Sequence, residues 1–269
     1  MRILFTFVGG SGHYEPLLPL ARAAVSARHD VAFSGRPGMM PLVEQDGFAA
    51  IPSGGEGGDS TDKYPLLEVD MQREEQALRE HFAGRMARSR SAALLEVCAA
   101  WQPDVLVCDE IDFGGLIAAE CLGLPYTSVL VIASGSFVRP DVVAAALDEV
   151  RAEHGLAPDP TLAALSRYLV LSPFPPGFRD PAHPLPATAH SLRPPAAERI
   201  AAKPALEWLS AMPHPRTVYF TLGTIFNRES GDLFTRVLAG LRDLPEQCAY
   251  SWPPFRPRRV GSAARPYSH

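Results

Sequence analysis

The sequence predicts an α/β fold, a parallel sheet with helices on both faces. Three observations predict it. A short apolar run, Ile3 to Val8, ends abruptly in the glycine-rich turn Gly9-Gly10-Ser11-Gly12. A segment of helical period follows, and then a second apolar run, Val31 to Ser34. The same alternation of short apolar runs with helical segments recurs down the chain.

The first strand is predicted over Arg2 to Val8, and the first helix from about Tyr14 to Ala27, with Leu17, Leu20, Ala21 and Ala24 at helical spacing. Pro16 fits the first turn, where its missing N–H costs little. Pro19 must also lie near the helix start. The second strand is Val31 to Ser34. A short helix around Pro41 to Gln45 leads to a third strand at Phe48 to Ile51. Pro52 to Pro65, rich in Gly, Ser and Asp, reads as a mobile loop. A long helix is predicted within Leu66 to Ala100, a strand at Asp104 to Cys108, a helix at Phe113 to Leu122 and a strand at Tyr126 to Ile132.

Pro173 to Pro215 is dense in proline and reads as extended segments and a linker. Thr217 to Leu222 is an apolar, β-branched strand, Gly223-Thr224 a turn and Asp232 to Leu241 a helix. These look like the opening of a second sheet. From Cys248 to His269 the chain has no amphipathic period and no acidic residue, and is expected to lack regular structure.

Composition excludes several classes. A formal charge of -5 and no dense Lys/Arg run before the extreme C-terminus argue against nucleic-acid binding. No segment approaches the about 20 apolar residues of a membrane span, and the apolar run after Arg2 is too short for a signal peptide. Cys98, Cys108, Cys121 and Cys248 lack metal-ligand spacing. Cys108 and Cys121 sit in apolar segments, as reduced core thiols of a cytoplasmic protein would.

In an open α/β sheet, ligands bind beyond the carboxyl ends of the strands. His13 stands at that mouth, after the first strand, and an unperturbed imidazole titrates near neutral pH, as a general base requires. The positive end of the first helix would keep its ring neutral. Asp109 ends the buried run at Asp104 to Cys108, on the same rim. Asp112 competes with it, but as an N-cap for the helix at Phe113 it has a structural role. Glu110 is expected in solvent. Gly9, Gly10 and Gly12 permit a tight turn that makes room for a bulky ligand, or a phosphate cradle. The pattern is not Gly-x-Gly-x-x-Gly, and no Gly-Lys-Ser/Thr follows. A dehydrogenase is disfavoured because the second strand runs into Ser34-Gly35-Arg36 without an acidic ribose ligand.

Gly12-His13, Pro16 and Leu18-Pro19-Leu20-Ala21-Arg22-Ala23 resemble the N-terminal signature of family 1 inverting glycosyltransferases with the two-domain GT-B fold, and most of all bacterial enzymes that glycosylate natural products. The resemblance recurs at Pro103 to Pro125 and Thr217 to Asn227, in scattered blocks. It implies a Rossmann-like acceptor domain over residues 1–204, a linker over 205–216, the first βα unit of an incomplete Rossmann-like nucleotide-sugar domain over 217–247, and a non-family tail over 248–269.

The resemblance also implies roles. His13 would deprotonate the acceptor hydroxyl, and Asp109 would orient His13 and offset its charge. Gly12, Ser134 and Phe137 would line the acceptor pocket, and Met39-Met40 would add to it, although core packing accounts for Phe137 and the methionines equally well. Gly223 and Thr224 would hold the donor phosphates. The donor would be a UDP- or dTDP-sugar, the acceptor a hydroxylated natural product, and no cofactor or metal is expected. A homodimer or a partner protein is allowed for. The family's donor domain continues with a His-Gly-Gly segment and an acidic-amide pair, which the sequence lacks. The chain is therefore expected to be truncated, by a frameshift after about Cys248, with impaired transfer. The alternative is a non-catalytic module that binds the acceptor or docks on a complete transferase.

Overall fold

The computed structural model describes residues 1–54, 64–66, 68, 70–193, 217–222, 230–241, 247–250 and 258–260. The chain divides into two units, residues 1–58 with 70–196, and residues 59–69 with 197–269.

The first unit is built on a seven-stranded, wholly parallel sheet: β1 (Arg2–Thr6), β2 (Asp30–Gly35), β3 (Ala49–Pro52), β4 (Val105–Asp109), β5 (Tyr126–Val129), β6 (Leu169–Ser172) and β7 (Ala189–Ser191). Their spatial order is β3-β2-β1-β4-β5-β6-β7. The chain winds outward from β1 to β3, then returns to β4 and winds the other way. The reversal between β1 and β4 is a topological switch point, where a crevice opens beyond the strand ends.

Side chains alternate across β1 and supply two cores. Ile3, Phe5 and Phe7 point to one face, where they pack with Tyr14, Leu17, Phe33 and Val43. The Phe5 and Phe33 rings stack at 5.0 Å, and Tyr14 meets Phe33 edge-on at 5.1 Å. Leu4 points to the other face and packs with Ala32, Leu94, Leu106 and Leu116. A strand buried on both faces needs apolar residues at nearly every position, which is why Ile3 to Val8 reads as a continuous run.

The helices around this sheet are α1 (Ser11–Tyr14), α2 (Leu18–Ser26), α3 (Met40–Gln45), α4 (Met71–Ala77), α5 (Ala87–Trp101), α6 (Phe113–Leu122) and α7 (Pro140–Glu153). The first predicted helix is in fact three pieces, α1, a 3-10 turn at Glu15–Leu17, and α2. Pro16 and Pro19 each lack the N–H that a continuous α-helix would use, and the tighter turn absorbs the break. The long helix predicted within Leu66 to Ala100 is interrupted by a π-helical stretch, Leu78–Met86, and ends at Gln102, whose left-handed φ of 53° precedes Pro103. Helix α6 has the predicted bounds. Asp112 caps it by accepting from the Gly115 amide, and Gly123 closes it at φ 63°.

Strands β6 and β7 and helix α7 are additions to the elements predicted above. β7 supplies one of the extended segments expected in the proline-rich region. The loop expected over Pro52 to Pro65 lies mostly outside the described residues, as does the linker at 205–216.

The second unit carries β8 (Thr217–Phe220), α8 (Leu233–Leu241), β9 (Gln247–Tyr250) and β10 (Arg258–Val260), its sheet ordered β10-β9-β8. The strand and helix of the predicted βα unit are therefore present. β9 runs parallel to β8, and β10 returns antiparallel. This corrects the expectation that nothing regular follows residue 248. Strand pairing satisfies the backbone there without the amphipathic period that the sequence reading sought.

Candidate active site

The ends of β1 and β4 are welded together. The two strands pair in register from Ile3 with Val105 to Thr6 with Cys108. Just beyond, the Val8 amide donates to Asp109 Oδ2 at 2.9 Å. Asp109 closes β4 and is wholly buried. Its Oδ1 accepts from the Ile111 and Asp112 amides at 2.9 and 3.1 Å. Three backbone donors thus converge on one carboxylate, which has acceptors for all of them.

His13 lies in α1, immediately after the glycine turn, with its amide bonded to Gly10 O at 3.0 Å. Its Nδ1 is buried and sits 3.4 Å from Asp109 Oδ2, and the side chain keeps 16% of its surface exposed. Gly9 makes this placement possible, since a Cβ there would come within 1.9 Å of the imidazole Cδ2. Burial disfavours the charged ring, but the adjoining Asp109 carboxylate more than offsets it, with help from Glu110 and Asp112. The His13 pKa therefore lies above the ordinary value of 6.5. This corrects the expectation of a ring kept neutral by a helix N-terminus. A four-residue α1 has little dipole, and three carboxyl groups outweigh it.

Asp112 has the structural role. It is wholly buried, caps α6 and pairs with Arg90 on α5, Nη2 to Oδ2 at 2.6 Å. Arg90 also donates to Ser53 O at 3.0 Å, so it ties the start of α6, helix α5 and the residue after β3 together. Arg90 is a feature the sequence reading missed. The signal was available: the buried stripe of α5 is Ala87, Arg90, Ser91, Leu94 and Cys98, and a charge at a core position of that stripe needs a partner.

Glu110 is also corrected. It is not in solvent but 7% exposed, and its Oε2 accepts from the Val131 and Ile132 amides at 2.5 and 3.0 Å. Burial, with Asp109 alongside, pushes its pKa up to about 7 against the opposing pull of those two amides.

The remaining predicted residues have these places. Gly12 faces open space, for a Cβ there would meet no atom within 4 Å. Ser134 lies in the loop after β5, its hydroxyl 3.1 Å from that of Ser136 and its carbonyl bonded to the Asp180 amide. Phe137 packs against the apolar cluster that includes Val8, Ile111 and Phe113. Met39 and Met40 are buried in the core beside Tyr14. Gly223 and Thr224 lie outside the described residues. Among the described residues no group of three or more His, Cys, Asp or Glu could hold a metal ion, and no helix is long and apolar enough to cross a membrane.

Comparison with known proteins bears on the fold that carries this site. No family model matches the chain. The 10-deoxymethynolide desosaminyltransferase of Streptomyces venezuelae is 26% identical over 152 residues, 48% of this chain and 36% of that protein. The tylactone mycaminosyltransferase of Streptomyces fradiae is 24% identical, over 98% of this chain and 67% of that protein. Among solved structures, the spinosyn rhamnosyltransferase SpnG superposes with a TM-score of 0.71 at 23% identity, covering 94% of this chain and 66% of that one. The chain has the fold of the GT-B natural-product glycosyltransferases. The GT-B likeness extends to the spinosyn forosaminyltransferase SpnP, at a TM-score of 0.66, 23% identity, and 98% and 68% coverage. The chain thus spans about a third of the first curated relative and about two thirds of the others named here.

Proposed function

We propose that this chain serves inverting transfer of a sugar from a nucleotide diphosphate sugar to a hydroxyl of a natural-product acceptor. The observation that carries the reading is the contact of His13 with Asp109 at the switch point of the sheet. With Nδ1 directed at Asp109, the other ring nitrogen, Nε2, is the one left for an acceptor hydroxyl. It takes the hydroxyl proton as the acceptor oxygen bonds to the anomeric carbon. The bond from that carbon to the diphosphate breaks, the nucleoside diphosphate leaves with the electron pair, and the configuration inverts. Asp109 fixes the ring orientation and stabilises the imidazolium that forms.

The acceptor lies over the rim formed by the loops after β1, β4 and β5, with Gly12 leaving room and Ser134 and Phe137 in the wall. Thymidine diphosphate is bound in a solved structure of SpnG, and VinC was solved with dTDP, which favours a dTDP-sugar over a UDP-sugar donor. Gly223 and Thr224 would meet the donor phosphates. No metal is proposed for the departure of the diphosphate. The free thiols Cys98, Cys108 and Cys121 fit a cytoplasmic setting.

The test is incubation of the chain with dTDP- and UDP-hexoses and a panel of hydroxylated macrolide and aromatic acceptors. Product is detected by mass and its anomeric configuration by NMR coupling. An inverted glycoside supports the reading, and retention of configuration overturns the mechanism. Acceptor binding without product supports a non-catalytic binding module instead.

A further inference from the structure

Arg179 is held in one pose, yet most of its donors are unused. It follows a 3-10 turn at Pro176–Phe178, in the segment between β6 and β7. Its Nε donates to the His183 carbonyl at 2.6 Å, and Asp180 braces the same turn by accepting from the Ala182 amide at 2.9 Å. The guanidinium lies against Gly135, in the loop between β5 and α7. A Cβ at Gly135 would strike Cζ and both Nη atoms of Arg179, and Gly135 adopts φ 82°, so a larger residue would unseat the guanidinium. The Asp180 amide donates to the Ser134 carbonyl at 3.1 Å and pins the two segments together.

A guanidinium carries five N–H donors. The chain uses the one on Nε, and among the described residues neither Nη atom has an acceptor. Glu110 lies within range of the Arg179 charge, but its Oε2 is taken by the Val131 and Ile132 amides and the two side chains form no ion pair. Arg179 is half-buried, and its Nη atoms are not shut off from solvent, so the unused edge can be reached. Ordering a long side chain is normally a cost of binding. Here the order exists beforehand, and a planar fork held still suits two parallel hydrogen bonds to a carboxylate.

We propose that Arg179 is a specificity residue that receives a carboxylate borne by the molecule occupying this rim. The seat stands whether or not the chain transfers sugar, and only the identification of its occupant with the acceptor rests on the reading above. Gly135 follows β5, which is two strands from β1 in the order β1-β4-β5. Neighbouring strands lie about 4.8 Å apart, so a hydroxyl facing His13 and a carboxylate at Arg179 are on the order of 10 Å apart. Asp109 repels an anion from the His13 end, which sets the orientation. The acceptor class is therefore a hydroxylated ring system with a carboxylate at its far end.

Calorimetric titration of the whole chain tests this, with a hydroxynaphthoate whose hydroxyl and carboxylate stand at opposite ends, and with its methyl ester. The acid should bind the wild type at least about tenfold more tightly than the ester, as a bidentate charge-assisted contact would give. Arg179→Met should abolish that preference. Arg179→Lys, which keeps the charge without the fork, should retain only part of it. Equal affinity for acid and ester in the wild type, or no saturable binding of the acid, would overturn the proposal. So would a preference that survives Arg179→Met. The wild-type comparison stands alone if the variants fold poorly. Neither arm depends on turnover, so sugar transfer can fail while the preference holds, and the preference can fail while sugar is transferred.

Discussion

The Val8 amide donates to Asp109 Oδ2 at 2.9 Å, across 101 residues of sequence. This bond ties the end of β1 to the end of β4 and fixes the oxygen that His13 Nδ1 approaches to 3.4 Å. The backbone of one strand thereby orients the carboxylate of the next, and the carboxylate orients the ring.

Asp109→Asn should lower the His13 pKa, because it removes the chief group that favours the imidazolium. It should also destabilise the chain by about 1–3 kcal/mol, since an amide NH₂ would face backbone donors where an acceptor now stands. The imidazole C–H resonance of His13 followed against pH reads the first effect, and urea unfolding reads the second. A midpoint that stays in place in the variant would remove Asp109 as the cause.

Gly9→Ala should displace the His13 ring. The new methyl would fall within 1.9 Å of Cδ2, so either the ring or the turn must move. Any movement that draws Nδ1 from Asp109 returns the His13 pKa toward 6.5, with a much smaller effect on stability than a core truncation. The same NMR titration checks it, and an unchanged midpoint would show that the turn yields instead of the ring.

Arg90→Met should cost about 3–5 kcal/mol, because it leaves the Asp112 carboxylate buried without its partner. Asp112→Asn in the same chain should recover part of that loss, since the neutral amide needs no counter-charge. Denaturant melts of the two single variants and the double variant give the coupling. Strict additivity would mean the pair does not interact energetically.

Two groups make stability depend on pH with the same sign. The His13 pKa is raised, so its contribution is full below 6.5 and is lost as pH rises through the folded value. Glu110 has a raised pKa of about 7, so its charged form penalises the fold progressively from about pH 4.5 to about pH 7. The Glu110 share is at most about 3 kcal/mol. The chain should be more stable at pH 5 than at pH 8 by thermal melting, and Glu110→Gln should flatten the curve. His81, whose pKa is lowered by burial and Arg85, acts with the opposite sign, so greater stability at pH 8 in a His81→Ala background would contradict both assignments.

The sheet and its rim were legible because their signals are local. The run Ile3 to Val8 is apolar at successive positions, as a strand covered on both faces must be. Asp112 before Phe113-Gly114-Gly115 marks a helix start by capping chemistry alone, and the structure puts it there. His13 and Asp109 were legible through motif and position at strand ends. What was not legible is long-range. Glu110 looks solvated in sequence, yet in the fold it is buried and accepts from the Val131 and Ile132 amides just beyond β5. The raised His13 pKa depends on carboxyl groups about a hundred residues away, which no reading of the first helix supplies. Pro16 and Pro19 announced a break, but not its form, a 3-10 turn at Glu15–Leu17 whose Leu17 is buried in the same core cluster as Tyr14 and Phe33.

The most direct test of the central claim, that His13 is the base at this rim, compares the wild type with His13→Ala at matched acceptor occupancy. Acceptor dissociation constants are measured by calorimetry, and product formation from the dTDP-sugar donor is measured in the same preparations. The account predicts equal acceptor affinity and product formation at least about 100-fold slower in His13→Ala, because a general base acts chiefly in the transition state. Equal rates of product formation in the two chains would contradict it.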